Sequence, residues 1–280
     1  MTLFRTAGEL PSRTLAPAGN ETLDRLLSGG LELGMCHLFY GNRILQEDLL
    51  RMAVAAQLPR ASGGLGSPSI FIDSANMMRV DKIADFAFEL DLFPEVVSDH
   101  MFISRAFNAS QTHELVVNQL EEFFDTVPTR LLFVPGLADI YINEGLTAEG
   151  MQQTTHMAHL LMTFSLTREI ATVISAGSSP RNKLYAAGGR ALASCCQIHV
   201  HVEKTPMHIH YTLVKHPMYP VRRESKGKKM DYATTLPLES FVDEWIEDEP
   251  VESVQLQREE EQEPADDELT LLDYFVDEID

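Results

Sequence analysis

The chain has 280 residues, 44% of them hydrophobic, which allows one large or two small domains with a sizeable core. Its net charge of −20 is uneven: from Asp243 to the end there are 17 acidic residues and one basic, Arg258, leaving the rest at −4. Neither part has the basic bias of a protein that grips nucleic acid by its phosphates, and the tail is too acidic to bury a core of its own.

Apolar runs at 35–40, 69–73, 101–105, 130–134 and 171–175 predict strands. Helical patterns lie between them at 46–57, 80–90, 111–125 and 148–167. That alternation predicts an α/β fold, a mainly parallel sheet covered on both faces. Ser62–Pro68 is a glycine-rich turn. QIHVHVE and HIHYTLV, joined by Lys204-Thr205-Pro206-Met207, predict a closing antiparallel hairpin. A two- or four-residue turn sets Glu203 opposite His208 and His201 opposite His210. His199, His201, His208 and His210 then share one face, either a solvated outer surface or a place for a transition metal. Leu238, Phe241, Val242, Trp245 and Ile246 follow Pro237 at helical spacing. Glu247–Asp267 reads as a disordered acidic linker, spanning on the order of 25 Å as a coil.

No apolar run reaches membrane-spanning length, and MTLFRTAGELPSR lacks the apolar stretch of a secretory signal. Cys36, Cys195 and Cys196 make no disulfide framework, so a cytoplasmic setting is expected.

In an α/β fold the turn after a strand such as Met35–Tyr40 is one place for a phosphate-binding loop. Such a loop is glycine-rich, so that backbone N–H groups wrap the phosphates, and it ends in Lys then Ser or Thr. Here the stretch is Gly41-Asn42-Arg43-Ile44-Leu45-Gln46-Glu47-Asp48. Only the first glycine is present, and two acids beside a polyphosphate repel it. The next strand ends in FIDSAN at 71–76, and another ends in LLFVP at 131–135.

Residues 55–86, with TLDRLLSGGLELG at 22–34 and SRAFNASQ at 104–111, closely resemble the ATPase core of the archaeal RadA recombinases. The likeness covers about residues 20–225 and implies a RecA-like three-layer fold, without the family's helical N-terminal DNA-binding domain, as in shorter RadB-like paralogues. It implies that Glu47 stands in place of the phosphate-binding Lys and Asp48 in place of the magnesium-binding Thr. Ala75 replaces the Glu that polarises water, and Pro135 replaces the Asp that holds magnesium. The expectation is a protein that is not an enzyme and uses no cofactor. A residual ATPase is the alternative from the enzyme class.

Two loops of this family grip single-stranded DNA. The first corresponds to Asp139–Gln153, which offers Asp139, Glu144 and Glu149 rather than arginines. The second corresponds to Ser178–Arg190, where Arg181, Lys183 and Arg190 either touch phosphate weakly or sit on an ordinary exposed loop. Phe4-Arg5-Thr6-Ala7 resembles the F-x-x-A element by which RadA-like recombinases dock onto a neighbouring subunit. It either docks in this way, through Phe4 and Ala7, or stays disordered or self-packed.

Glu268, Leu271, Tyr274 and Phe275 resemble the clamp-binding box of archaeal replication and repair proteins, with Glu where Gln is usual. One helical turn gathers Leu271, Tyr274 and Phe275 into an apolar plug. The other reading folds that helix back on its own core.

The expected organisation is an arm over 1–19, a core over 20–246, a linker over 247–267 and a clamp-binding tail over 268–280. The expected role is an accessory factor in recombination or repair that links a RadA-type recombinase to the PCNA sliding clamp. The alternative is a clamp-tethered scaffold that never meets the recombinase.

Overall fold

Short buried strands alternate with helices to build one eight-stranded sheet in the computed structural model. The structure describes residues 13–228, apart from Ala75, Leu146, Pro180 and Arg181. All described residues fall in the first of two units, Met1–Lys229 and Met230–Asp280.

A two-stranded antiparallel ribbon, β1 (Leu15–Ala16) with β2 (Leu31–Glu32), flanks helix α1 (Glu21–Leu27). Asn20 starts α1 by accepting the Thr22 N–H, the usual role of a short amide before a helix. Then come β3 (Cys36–Gly41), α2 (Leu45–Ala56) and β4 (Ser69–Asp73). The helices α3 (Ile83–Glu89) and α4 (Pro94–Asp99) lead into β5 (Met101–Arg105). Helices α5 (Ala109–Glu114) and α6 (Leu120–Thr126) precede β6 (Leu131–Val134). After α7 (Asp139–Asn143) and the long α8 (Ala148–Arg168) comes β7 (Ala171–Ala176). Helix α9 (Gly189–Cys195) leads to β8 (Ile198–Lys204), β9 (His208–Lys215) and β10 (Arg222–Gly227).

The sheet order is β10-β9-β8-β3-β7-β6-β4-β5. The five pairings from β8 across to β5 are parallel, and the two that add β9 and β10 are antiparallel. Strands β4, β6 and β7 are buried along their whole length, as parallel strands covered on both faces must be. Alternate residues point to opposite layers. Phe39, Phe71 and Phe133 join one apolar cluster with α1 to α4; Leu38, Ile72 and Leu132 join the other with α5, α6 and α8. Phe71 and Phe133 stack at 4.6 Å between centroids. The predicted three-layer α/β fold is therefore present, with strands and helices within a few residues of their expected limits.

The differences have local causes. The helix expected at 111–125 is divided by a π-helical turn, Leu115–Gln119, which fits one extra residue into the coil. Strand β10, Arg-Arg-Glu-Ser-Lys-Gly, has no apolar alternation and, among the described strands, is a sheet edge paired with β9. The hairpin register also needs correction. Glu203 pairs with His210 and His201 with Thr212, two residues along from the expected pairing. Thr205 sets this turn: its N–H donates to the His208 carbonyl at 2.9 Å, and its Oγ1 accepts the His208 N–H at 3.0 Å.

Candidate functional site

Asn42-Arg43-Ile44 joins β3 to α2 at the carboxyl end of the sheet, where open α/β folds bind ligands. Gly41 has φ 122°, and a Cβ there would lie 2.2 Å from the Val202 carbonyl oxygen. The neighbouring strand β8 therefore demands this glycine. The Asn42 N–H donates to that same carbonyl at 2.8 Å. Asn42 Oδ1 accepts the Ile44 N–H at 3.1 Å. The N–H groups of Leu45, Gln46 and Glu47 donate to the carbonyls of Asn42, Arg43 and Ile44, each at 3.1 Å. A phosphate cradle leaves such groups pointing at the anion. Here the N–H groups of Asn42, Ile44, Leu45, Gln46 and Glu47 have acceptors inside the chain.

Glu47 is half-buried in the first turn of α2. Asp48 is buried and faces the hairpin. Its carboxylate accepts the Tyr211 hydroxyl at 2.8 Å and meets Lys226 Nζ at 3.3 Å and Asn20 Nδ2 at 3.4 Å. Burial, then this carboxylate, push the Tyr211 phenol far above its ordinary pKa. The expectation that both acids confront a polyphosphate is corrected for Asp48, whose charge is engaged within the fold.

Gln46 fills part of the remaining space. Its Nε2 donates to Ser175 Oγ at 2.8 Å, and that oxygen also accepts the Gly136 N–H at 3.0 Å. A cavity of about 200 Å³ is left, with Gly41, Arg43, Gln46, Met77, Asp139 and Gly177 on its walls. That is below the roughly 300 Å³ at which small-molecule pockets begin. Asp139 accepts the Gly177 N–H at 3.0 Å, and burial raises its carboxyl pKa. Sequence reasoning assigned Asp139 to the first DNA loop and missed its place on this wall. Its position four residues after Pro135, at the start of α7, was the available signal.

Asp73, at the end of β4, is fully buried and accepts the N–H groups of Met77 at 2.9 Å and Met78 at 3.2 Å. It shapes the loop that follows. Ala75, in that loop, lies outside the described residues. Pro135 is buried at the end of β6 and brings no carboxylate to the cavity.

The first loop forms α7 and the start of α8, and Glu144 accepts the Ala109 N–H at 3.0 Å. In the second, Ser178 bridges Ala186, Ser179 N–H donates to the Tyr185 carbonyl at 2.7 Å, and Tyr40 Oη donates to the Leu184 carbonyl at 2.9 Å. Lys183 and Arg190 are exposed on it, while Arg181 lies outside the described residues.

The four histidines do not form one solvated face. His199 and His201 are buried. His199 Nε2 approaches the Ala193 carbonyl at 2.8 Å, and His201 packs on Tyr40 at 4.9 Å. Burial lowers the pKa of both. His208 is exposed and stacks on half-buried His210, with centroids 5.9 Å apart. Among the described residues, no group of three or more His, Cys, Asp or Glu is placed to hold a metal. Also among them, no helix is long and apolar enough to cross a membrane. Phe4 and Ala7, and Glu268, Leu271, Tyr274 and Phe275, lie outside the described residues.

A second feature was not read from the sequence. Strand β5 is a sheet edge, with one side of its backbone unpaired by any described strand. Beside it runs a groove of about 410 Å³ between β5 and α6, walled by Ile70, Phe102, Ile103, Phe123 and Val127. An open strand edge beside an apolar groove suits an added extended segment with a large apolar side chain.

The family model described as Rad51 matches residues 14–203. The human protein "Meiotic recombination protein DMC1/LIM15 homolog" is 27% identical over 164 residues, 56% of this chain and 48% of its own length. The mouse protein of the same description gives the same figures. The chain thus spans about half the length of these curated relatives. The matched segment begins just before β1 and ends at Glu203 in β8, taking in every parallel pairing of the sheet and the loop between β3 and α2. The chain belongs to the Rad51 family.

Proposed function

We propose that this chain is a non-catalytic Rad51-family protein, an accessory factor in DNA recombination or repair that links a RadA-type recombinase to the PCNA sliding clamp. The observation that carries the reading is the loop after β3. The N–H groups from Ile44 to Glu47 bond to the chain's own carbonyls and to Asn42 Oδ1, Asp48 is tied to Tyr211 and Lys226, and Gln46 is tied to Ser175. No cofactor enters this reading.

The recombinase contact has two halves. Phe4 and Ala7 supply a plug for a recombinase subunit, and the groove beside β5 supplies a socket of the same kind on this chain. The clamp contact is the tail, where Leu271, Tyr274 and Phe275 enter an apolar groove and residues 247–267 act as a tether. DNA binding is weak, since the described cations of the second loop are only Lys183 and Arg190.

The test is a pair of affinity measurements with purified recombinase and clamp. Phe4→Ala should weaken recombinase binding by about 30-fold, the loss of a hot-spot aromatic worth about 2 kcal/mol. Tyr274→Ala with Phe275→Ala should abolish clamp binding and leave recombinase binding unchanged. A wild-type chain that binds only the clamp would instead favour the tethered scaffold. A chain that binds neither would remove the linking role.

A further inference from the structure

Among the described residues, the exposed phenylalanines are Phe88, Phe93, Phe102 and Phe107. Phe102 borders the groove beside β5. Phe88 and Phe93 belong to the opposite layer, on the outside of α3 and at the start of α4. With Val96, one turn after Phe93, they are 68%, 76% and 53% exposed. Soluble surfaces scatter single apolar residues, but two mostly exposed aromatics in one short helical corner mark a contact surface.

The corner is firmly held from beneath. Ile83, Phe86, Ala87 and Val97 are buried against the sheet. The backbone around the aromatics is hydrogen-bonded: Asp91 N–H donates to the Phe88 carbonyl, Leu92 N–H to the Ala87 carbonyl, and Val97 N–H to the Phe93 carbonyl. Asp91 makes the bend with φ 55°. The patch is thus a pre-shaped surface rather than a loose loop, which lowers the ordering cost of binding.

Charge says what covers it. Residues 83–100 contain Asp85, Glu89, Asp91, Glu95 and Asp99 and no Lys or Arg. Glu89 is engaged by Arg51, and Asp85 by Lys82. Asp91, Glu95 and Asp99, all exposed and within six residues of Phe93, give this corner an acidic rim. We propose that the α3–α4 face docks a basic amphipathic segment of a partner protein. Its apolar side chains cover Phe88, Phe93 and Val96, and its Lys or Arg residues meet Asp91, Glu95 and Asp99. An aromatic centre with a charged rim is the usual layout of such a surface. The rim repels nucleic acid and the chain's own acidic tail, and in a second copy it would set like charges against each other.

The test uses the full chain and two synthetic helical peptides of about 14 residues with one leucine pattern, one bearing Lys at its polar positions and the other Glu. The Lys peptide should bind, weakening about 10-fold as salt rises and screens the rim, and the Glu peptide should not. Because the acidic tail also attracts cations, the deciding arm is Phe88→Ser with Phe93→Ser. Both side chains are exposed, so that variant should keep its melting temperature and lose at least about 10-fold in affinity. Asp91→Lys with Glu95→Lys should transfer binding to the Glu peptide. Unchanged affinity in the phenylalanine variant would place the peptide on the tail and overturn the proposal. Self-association of the wild type that the same variant abolishes would also overturn it, by making the patch a contact between copies.

Discussion

The carboxyl end of β3 and the outer edge of β5 lie in one sheet and treat their free groups in opposite ways. At the end of β3, each backbone N–H from Ile44 to Glu47 has an acceptor in the chain, and the cavity is about 200 Å³. At β5, one side of the strand has no described partner, and Phe102 stands 42% exposed beside a larger apolar groove. The first region has closed on itself, and the second, among the described residues, presents unpaired backbone groups and apolar surface. Satisfied groups add stability, whereas unsatisfied ones favour association. On the function proposed above, a closed loop after β3 and an open edge at β5 suit contact rather than turnover.

The largest expected effect probes the closed region. Asp48→Ala should destabilise the fold by about 3 kcal/mol, because it strands the Tyr211 hydroxyl and removes the partner of Lys226. Chemical denaturation reads this directly. A change below about 0.5 kcal/mol, the size of a surface substitution, would mean that Asp48 is not the anchor of the hairpin.

Acid should act on the opposite end of the same strand. His37 is fully buried; its Nε2 accepts the Glu32 N–H at 3.1 Å, and its Nδ1 lies 3.3 Å from the Thr172 carbonyl oxygen. Burial lowers its pKa to about 4 from an ordinary 6.5. Between those values the unfolded chain takes up a proton that the folded chain refuses. Stability is therefore full above pH 6.5 and falls as pH drops towards 4, by up to about 3 kcal/mol from this residue. Burial also lowers His199, His201 and His216, which add in the same direction. Denaturation across pH 4 to 7 should show a steep acid limb that His37→Gln makes shallower. An equally steep limb in that variant would assign the acid sensitivity elsewhere.

A smaller effect probes the open region. Phe102→Ala should reduce affinity for the recombinase about 10-fold and leave the melting temperature nearly unchanged, since the ring is half-exposed. A large fall in melting temperature with unaltered binding would make the groove a part of the core rather than a socket.

Much of the fold was legible because buried parallel strands are continuous apolar runs and their covering helices have a 3.6-residue period. Ile-Phe-Ile between Ser69 and Asp73 could hardly be anything else. What was missed was short, polar or set by contacts distant in sequence. The ribbon strands have two residues each, and β10 has no apolar pattern. The hairpin register turned on one Thr205 hydroxyl. For the candidate site, the residue types at 47, 48, 75 and 135 could be read, but not the direction of their side chains. That Asp48 faces Tyr211, 163 positions away, is a tertiary fact. The groove beside β5 was hidden for a similar reason: Ile70, Phe102 and Phe123 come from three separate elements, and each alone reads as an ordinary core residue.

The most direct test of the central claim is a calorimetric titration of the full chain with ATP and magnesium. No saturable binding is expected up to millimolar nucleotide, a free energy no better than about −4 kcal/mol. The double variant Glu47→Lys with Asp48→Thr should not restore binding, because the N–H groups after β3 remain bonded to Asn42, Arg43 and Ile44. Saturable micromolar binding by the wild type would contradict the account, since it would require this loop to open and present the groups that the structure shows satisfied.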